Sequence, residues 1–369
     1  MMLIKNIELK GFRNYQEAKA QFGEGINLIA GSNAQGKTNL LEAIYFLTGA
    51  KSFRTRRDSE LIGFKEEHAS VISDFFSRGR EQRLEIYLKR KGRKRIVLNG
   101  VKKKSAADIA GCICAILFCP SDLEIVRGPA SERRKFIDSA ICQLRPKYVS
   151  CLSEFNRLYE HKVRILRDFK EKPGLLKVLD DFNMRLAKTG AELIYYRASW
   201  CGKLSVYASK IHREISGCGE ELEIIYKSYG ISGENQSVKP SEIYSLLMEH
   251  QKEHRQAEID SGMCLSGAQK DDLIININSR PAKGYASQGQ IRTSALSLKL
   301  AEREISFRDM GEYPILLLDD VLSELDPQRQ EFVLNKISGG QVFISCCDGE
   351  EIEKKTGGRI YKIVAGRFI

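Results

Sequence analysis

The sequence predicts an α/β fold that is interrupted by a mainly helical insertion. An apolar strand at 25–30 enters a glycine-rich segment and an amphipathic helix follows it, and strands and helices alternate again after residue 270. Between these parts, apolar residues recur at helical spacing on both sides of Pro173-Gly174. A chain of 369 residues is also longer than one hydrophobic core usually supports. We therefore predict an α/β lobe made of residues 1–130 and 270–369, with a helical lobe of residues 131–269 inserted into it.

The elements follow from local patterns taken in chain order. Residues 3–9 alternate apolar and polar, and a hairpin is predicted through 84–88 and back through 96–98 to the turn Asn99-Gly100. The two helices separated by Pro173-Gly174 are predicted to pack as an antiparallel pair, and a third helix is predicted over 240–257. The C-terminal elements are predicted as strand 273–277, helix 290–307, strand 315–318, helix 327–337, strand 341–345 and strand 359–364.

The positive charge is concentrated in one place. The whole chain carries 59 basic and 48 acidic residues, a net charge of +11, and residues 78–104 hold 12 basic residues against two acidic ones. This concentration favours a polyanionic partner, and the sparse aromatics in the cluster favour contact with a phosphate backbone over base stacking. The alternative is a solvated strand edge whose charges prevent edge-to-edge association. The candidate DNA contacts are Lys89, Arg90, Lys91, Arg93, Lys94 and Arg95.

Two other features concern the environment of the protein. The N-terminus has no apolar run of the length that a secretory signal needs, and the longest such run, 110–119, is about half of a membrane span. Ten cysteines are scattered without a paired metal-binding or disulfide pattern. We therefore expect a soluble cytoplasmic protein with reduced thiols and no membrane partner.

A phosphate-binding loop is predicted between the first apolar strand and its helix. The segment matches G-x-x-x-x-G-K-[ST] in the strand-loop-helix context that this motif requires. Its glycines let backbone N–H groups converge on phosphate oxygens, and the helix directs its positive end at the same charge. Lys37 is predicted to bridge the β and γ phosphates of ATP, and Thr38 to hold Mg²⁺. The loop consists of Gly31, Ser32, Asn33, Ala34, Gln35, Gly36, Lys37 and Thr38.

An apolar strand that ends in two acids supplies the other half of such a site. Asp319 is predicted to coordinate Mg²⁺ through water, and Asp320 to orient or deprotonate the attacking water. With Lys37 they form the predicted catalytic set. Because 282 residues separate Lys37 from Asp319, the site must be assembled across the helical insertion.

Two further segments resemble motifs of ABC-type ATPases. Ala286-Ser287-Gln288-Gly289-Gln290 opens a long amphipathic helix and resembles the L-S-G-G-Q signature, while Ser323-Glu324-Leu325-Asp326 resembles the D-loop. The resemblance implies an ATP-dependent homodimer in which Ser287, Gly289, Gln290 and Asp326 contact nucleotide. Leu265-Ser266-Gly267-Ala268-Gln269 is closer to the signature in spelling, but it leads into a strand, so we favour Ser287.

The wider pattern is similar to the RecF family of bacterial recombination-repair ATPases, relatives of the SMC group. The similarity rests on Gly11 to Tyr15, Asn39 to Ile44, Lys51 to Thr55, Asp122 to Asp138 and Lys270 to Leu273. It implies ATP-dependent binding of single- and double-stranded DNA at gaps or junctions, weak DNA-dependent ATP hydrolysis, and a role with RecO and RecR in loading RecA. The sequence departs from the family at Ala34, where glycine is usual, and at Ser266 to Gln269.

Other interpretations remain open in the sequence. An ABC-type module that powers a membrane or chromosome-organising partner is the alternative function. His250-Gln251-Lys252-Glu253-His254 matches a zinc-binding pattern, although its charged neighbours favour a solvated helix face. Arg127, Arg133 and Arg134 form a second candidate DNA-binding strip unless nearby carboxylates pair with them.

Overall fold

The computed structural model describes residues 1–55, 57–229, 231–232 and 238–369. By their internal contacts these residues divide into unit 1, Met1–Leu123 with Ala295–Ile369, and unit 2, Glu124–Ser294. The strand Asp272–Ile277, which we expected in the α/β lobe, lies in unit 2 because its backbone pairs with Leu222–Ser228. The boundary near residue 294 falls within the helix Gln288–Met310.

An antiparallel sheet carries the basic hairpin in unit 1. Leu84 opposes Leu98 and Ile86 opposes Ile96, which confirms the predicted hairpin. These four apolar side chains are buried, and residues 90–94 connect the two strands of the hairpin. In sheet order, the described strands are Tyr15–Gln21, Asn6–Phe12, His68–Ser77, Arg80–Lys89, Arg95–Leu98 and Val101–Lys103, with Leu3–Ile4 also beside His68–Ser77.

A mostly parallel sheet forms the second layer of unit 1. Its strand Ile315–Asp319 is buried along its whole length, as expected for a strand covered on both faces. The predicted strands 315–318, 341–345 and 359–364 are confirmed within one residue at either end. In sheet order, the described strands are Arg367–Phe368, Arg359–Val364, Ile26–Ala30, Val342–Cys346, Ile315–Asp319 and Ala115–Phe118. The associated helices are Lys37–Phe46, Pro327–Lys336, Glu350–Thr356 and the C-terminal part of Gln288–Met310.

Unit 2 is built around a long antiparallel helix pair. The helices Pro146–Asp168 and Leu179–Ile215 run in opposite directions, since the ring of Tyr148 lies 5.6 Å from that of Tyr196 and the ring of His161 lies 5.8 Å from that of Phe182. The predicted pair is therefore confirmed. The remaining α-helices are Leu123–Arg127 at the boundary, Ala130–Leu144, Pro240–Glu253, Arg255–Ser261 and Ala282–Tyr285.

The predicted helix 240–257 is divided in two at His254. The backbone of His254 leaves the helical region, with ψ near 5°, and its ring lies 4.0 Å from the ring of His250. A small antiparallel sheet completes unit 2, in the order Ile231–Ser232, Leu222–Ser228, Asp272–Ile277, Arg280–Pro281 among the described residues. None of the helices in the described ranges is both long enough and apolar enough to cross a bilayer.

Candidate nucleotide site

The glycine-rich loop lies between the strand Ile26–Ala30 and the helix Lys37–Phe46, as predicted. Gly36 has φ +120°, and a Cβ at this position would lie 2.8 Å from Nδ2 of Asn14. That amide in turn donates to the carbonyl of Gln35 at 2.9 Å. No side chain caps the helix that begins at Lys37, so its first N–H groups are left to bind an anion.

The ammonium group of Lys37 is held across the loop. Its Nζ donates to the carbonyl of Gly31 at 2.7 Å and to that of Ser32 at 3.2 Å, and the residue is only 4% exposed. Ala34 has φ +64°, a left-handed conformation, which explains physically why glycine suits this position. The loop thus places one cation and a series of N–H groups around a space suited to phosphate.

The acidic strand meets this loop at one edge of the parallel sheet. Thr38 Oγ1 donates a hydrogen bond of 2.9 Å to Asp319 Oδ1, across 281 residues of sequence. The strand Val342–Cys346 lies between the loop strand and the acidic strand and pairs with both in parallel, so their carboxyl ends meet. Burial raises the pKa of Asp319, and the hydrogen bonds from Ser345 and Thr38 oppose that rise.

Ser345 is a site residue that the sequence did not reveal. Its hydroxyl donates to Asp319 Oδ1 at 2.9 Å and accepts from the backbone N–H of Asp320 at 2.8 Å. Asp320 itself has φ +54°, so the chain turns sharply directly after the acidic strand. Ser345 therefore fixes the two adjacent acids relative to each other, and its position at the end of a parallel strand was the available signal.

The signature segment opens the helix Gln288–Met310, as predicted for Ser287. Ser287 N–H donates to Oε1 of Gln290 at 2.9 Å, and Gln290 N–H donates to Oγ of Ser287 at 3.2 Å. Nε2 of Gln290 also donates to Glu220 at 2.8 Å, and the buried His212 lies 3.2 Å from the other oxygen of Glu220. The competing segment 265–269 instead contains buried Ser266 and leads into the short 3₁₀ turn Ala268–Lys270.

Asp326 of the predicted D-loop begins the helix Pro327–Lys336. Its carboxylate accepts the backbone N–H of Arg329 at 3.0 Å and pairs with the guanidinium of the same residue. The backbone hydrogen bond from Arg329 lowers the pKa of Asp326. Asp326 is thus a helix cap in this structure, and its predicted contact with nucleotide stays a prediction.

Comparison with known proteins decides the family. The model of the RecF/RecN/SMC N terminal domain matches residues 3–366. A protein of Lachnospira eligens named DNA replication and repair protein RecF is 36% identical, with 100% of this chain and 99% of the relative covered. A protein of the same name from Oceanobacillus iheyensis is 39% identical, with 96% of each chain covered. The chain belongs to the RecF family.

Solved structures agree with the family and with the predicted fold. A structure described as the recombination mediator protein RecF-ATPrS in the RecFOR pathway is 37% identical, with a TM-score of 0.92 over 100% of this chain and 97% of that one. The Smc head domain from Pyrococcus furiosus, at 18% identity and a TM-score of 0.56, shares the fold. The predicted ABC-type α/β fold is therefore confirmed.

Three of the five segments that resemble the RecF family converge on a buried carboxylate. Glu42, fully buried, accepts two hydrogen bonds of 2.8 Å from Arg13 and one of 2.5 Å from Ser52. Arg54 donates to Oδ1 of Asn39, the residue after Thr38, at 2.7 Å. Arg13, Arg54 and Asn39 line a groove of about 760 Å³ beside the phosphate loop. None of these side chains was in the predicted site, because their pairing joins distant segments.

Two cations of the basic hairpin have partners within the protein. Arg90 donates to the carbonyls of Gly63 and Glu66 at 2.7 Å each, and Lys94 pairs with Asp58 at 3.2 Å. The predicted contact of the six cations with DNA stays a prediction. Arg95 lies over the ring of Tyr87, with 4.2 Å between its guanidinium carbon and the ring centroid. Three exposed cations have neither an ion-pair partner nor an aromatic-ring contact among the described residues: Lys89, Lys91 and Arg93.

The second basic strip is largely paired. Arg127 contacts Glu124 at 2.6 Å, and the buried Arg133 holds both oxygens of Asp272 at 2.6 and 2.9 Å. Arg134 donates to the carbonyl of Asp271 at 2.7 Å. Arg133 is therefore a structural residue, because its guanidinium is buried and occupied. Across the described ranges, no group of three or more His, Cys, Asp or Glu side chains is arranged to hold a metal ion.

Proposed function

We propose that this RecF-family chain is an ATP-dependent DNA-binding protein of recombinational repair, whose ATP-bound homodimer clamps gapped or junction DNA. The observation that carries the proposal is the hydrogen bond of 2.9 Å between Thr38 and Asp319. It brings the phosphate loop and the acidic strand together despite the inserted lobe. That arrangement suits a nucleoside triphosphate with its metal ion.

The donor set fits Mg²⁺. A hydroxyl and a carboxylate are hard oxygen ligands, and Mg²⁺ usually takes few protein ligands beside phosphate and water, so Thr38 and Asp319 suffice. When bound, Mg²⁺ neutralises phosphate charge and fixes the phosphate oxygens in place. Glycine at position 36 lets the backbone of the loop lie close to Asn14, since a Cβ there would lie within 3 Å of that side chain.

The roles of the chain's own groups follow from their positions. Lys37 would exchange the carbonyls of Gly31 and Ser32 for the β and γ phosphate oxygens, and the free N–H groups of the helix start would bind the same phosphates. Asp320, held by Ser345, would accept a proton from the attacking water. We assign weak hydrolysis to this site, with hydrolysis serving release from DNA.

The dimer and its partners complete the proposal. Ser287 and Gln290 at the start of their helix would contact the nucleotide of a second copy, as the ABC-type signature implies. The free cations of the hairpin would neutralise DNA phosphates. RecR, RecO and RecA are the proposed partners, supported by the relatives' name and by the RecFOR pathway in the description of the solved structure.

The test compares Lys37→Arg with the wild-type protein. Because arginine does not reproduce the geometry of the lysine ammonium group, ATP should no longer promote dimerisation or binding to gapped DNA. Sedimentation measures dimerisation and fluorescence anisotropy measures DNA binding, each with and without ATP. Lys355→Arg, at an exposed lysine paired with Glu351, is the matched control. ATP-stimulated binding to gapped DNA that survives in Lys37→Arg would overturn the mechanism.

A further inference from the structure

Phe64 is an exposed aromatic side chain within a basic surface. It is 98% exposed, although its neighbours Leu61 and Ile62 are buried. A single exposed apolar side chain needs no explanation by itself, so the residues around Phe64 decide whether it belongs to a binding surface. The guanidinium of Arg90 donates to the Phe64 carbonyl at 2.8 Å, which places the aromatic residue next to the basic hairpin. The sequence gives no sign of this, because 26 residues separate the two.

Phe64 lies on the rim of the groove of about 760 Å³. Among the described residues that line this groove, Arg13, Arg54, Arg90 and Lys91 are cationic, against one carboxylate, Glu60. Arg13 is occupied by Glu42, and Arg90 pairs with Glu67 at 3.7 Å. Arg54 lies 3.9 Å from Glu42 but is about half-exposed, and Lys91 is exposed. An aromatic face beside cations is the combination that binds single-stranded nucleic acid, since bases stack and phosphates are neutralised.

The backbone around Phe64 is fixed on both sides. Gly63 N–H donates to the carbonyl of Gly11 at 2.7 Å, and Glu66 N–H donates to the carbonyl of Gly63 at 2.9 Å. Arg90 adds hydrogen bonds to Gly63, Phe64 and Glu66. The turn therefore presents the ring to solvent from an ordered backbone, which reduces the entropy cost of stacking a base on it.

We propose that Phe64 is a stacking platform for an unpaired DNA base, with Lys91 and Arg54 bound to the adjacent phosphates. The inference rests on the proposed DNA-binding function and deepens it. The basic hairpin binds phosphates of any DNA, whereas Phe64 contacts only a base that is out of the duplex stack. This corner of unit 1 thus distinguishes a single-strand/double-strand junction from continuous duplex.

The experiment measures full-length protein with ATP on two DNAs of equal length, one a continuous duplex and one with a single-stranded gap that carries 2-aminopurine at the junction. Phe64→Ala should bind the gapped DNA about tenfold more weakly, the loss of one stacked base, and the duplex within about twofold of wild type. Phe64→Tyr should restore binding to gapped DNA. Quenching of 2-aminopurine should occur with wild type and Phe64→Tyr but not with Phe64→Ala. Val101→Ala, at an exposed apolar side chain on the basic sheet, is the matched control.

The outcomes separate the inference from the function on which it rests. Wild-type protein that binds gapped DNA, with Phe64→Ala unchanged or equally weakened on both DNAs, overturns the inference alone. Wild-type protein that binds neither DNA overturns both. The groove also adjoins Asn14 and Asn39 beside the phosphate loop, so the affinity for ATP is measured as well. A loss of ATP affinity in Phe64→Ala would assign the ring to the base of the nucleotide and overturn the DNA proposal.

Discussion

Gln290 and Glu220 are joined by a hydrogen bond of 2.8 Å across 70 residues of unit 2. Through it, a carboxylate outside every recognised motif fixes the side chain of the predicted signature glutamine. Glu220 in turn is held by the buried His212. We therefore regard Glu220 as a positioning residue for the signature segment.

Glu220→Ala should weaken ATP-dependent dimerisation about five- to tenfold, since a hydrogen bond to a charged group is removed. The affinity of the monomer for ATP should stay unchanged, because the phosphate loop lies in unit 1. Sedimentation measures the first quantity and titration of a fluorescent ATP analogue the second. Glu220→Gln, which keeps an acceptor, should restore dimerisation, and Glu221→Ala is the neighbouring control. Weaker ATP binding by the monomer would contradict the assigned role.

Asp320→Asn should separate hydrolysis from binding. Loss of a general base lowers the hydrolysis rate by about 10²-fold or more, whereas the ATP-bound dimer should persist and accumulate on DNA. Asp319→Asn should instead raise the Mg²⁺ concentration that ATP binding requires, because a metal ligand loses its charge. Phosphate release and sedimentation distinguish the two variants, and Asp348→Asn, at an exposed carboxyl, is the control. If Asp320→Asn failed to bind ATP, its role as base would be wrong.

The free cations of the hairpin should set the salt dependence of DNA binding. Replacing Lys89, Lys91 and Arg93 together by glutamine should lower the slope of log affinity against log salt by about 3, one unit for each DNA phosphate that is no longer neutralised. Anisotropy across a salt series measures the slope. Exposed Lys170, Lys172 and Lys177, replaced in the same way, remove equal charge from unit 2 and should leave the slope unchanged. An unchanged slope in the hairpin variant would show that the hairpin is only a solvated edge.

The ion pair between Arg133 and Asp272 should make the stability of unit 2 depend on pH. Burial alone would raise the pKa of Asp272, but the hydrogen bonds from Arg133 and from the N–H of Leu273 outweigh it, and the pKa lies below its usual range. A lowered pKa in the folded state means that the carboxylate stabilises above its ordinary pKa and that this stabilisation is lost as the pH falls through the folded pKa.

Asp272→Asn should therefore lower the free energy of unfolding at about pH 7, and the difference from wild type should shrink at about pH 3. Urea unfolding at both pH values measures this. Glu160→Gln, at an exposed carboxyl in the middle of the helix Pro146–Asp168, should match wild type throughout. If Asp272→Asn lowered the free energy of unfolding equally at both pH values, the charge of Asp272 would have no part in the stabilisation.

The parts of the site that could be predicted are those with a recognisable pattern in the local sequence. The strand, loop and helix around Lys37, and the apolar strand before Asp319, each have a pattern within a dozen residues. Ser345 has only its place at the end of a predicted strand, and Glu220 has no local pattern, because each gains its role through a partner 26 or 70 residues away. The intramolecular partners of Arg90 and Lys94 also could not be predicted, since loop carbonyls and Asp58 reach them from distant positions in the chain.

The central strand Val342–Cys346 has a consequence for how the site is made. It lies between the strand that enters the phosphate loop and the strand that ends in Asp319, so it joins the two halves edge to edge. During synthesis it leaves the ribosome after both of its neighbours. A nascent chain that stops before residue 342 would carry the loop and both acids without the strand that aligns them. The ability to bind nucleotide would then be acquired late, after most of the chain has been synthesised.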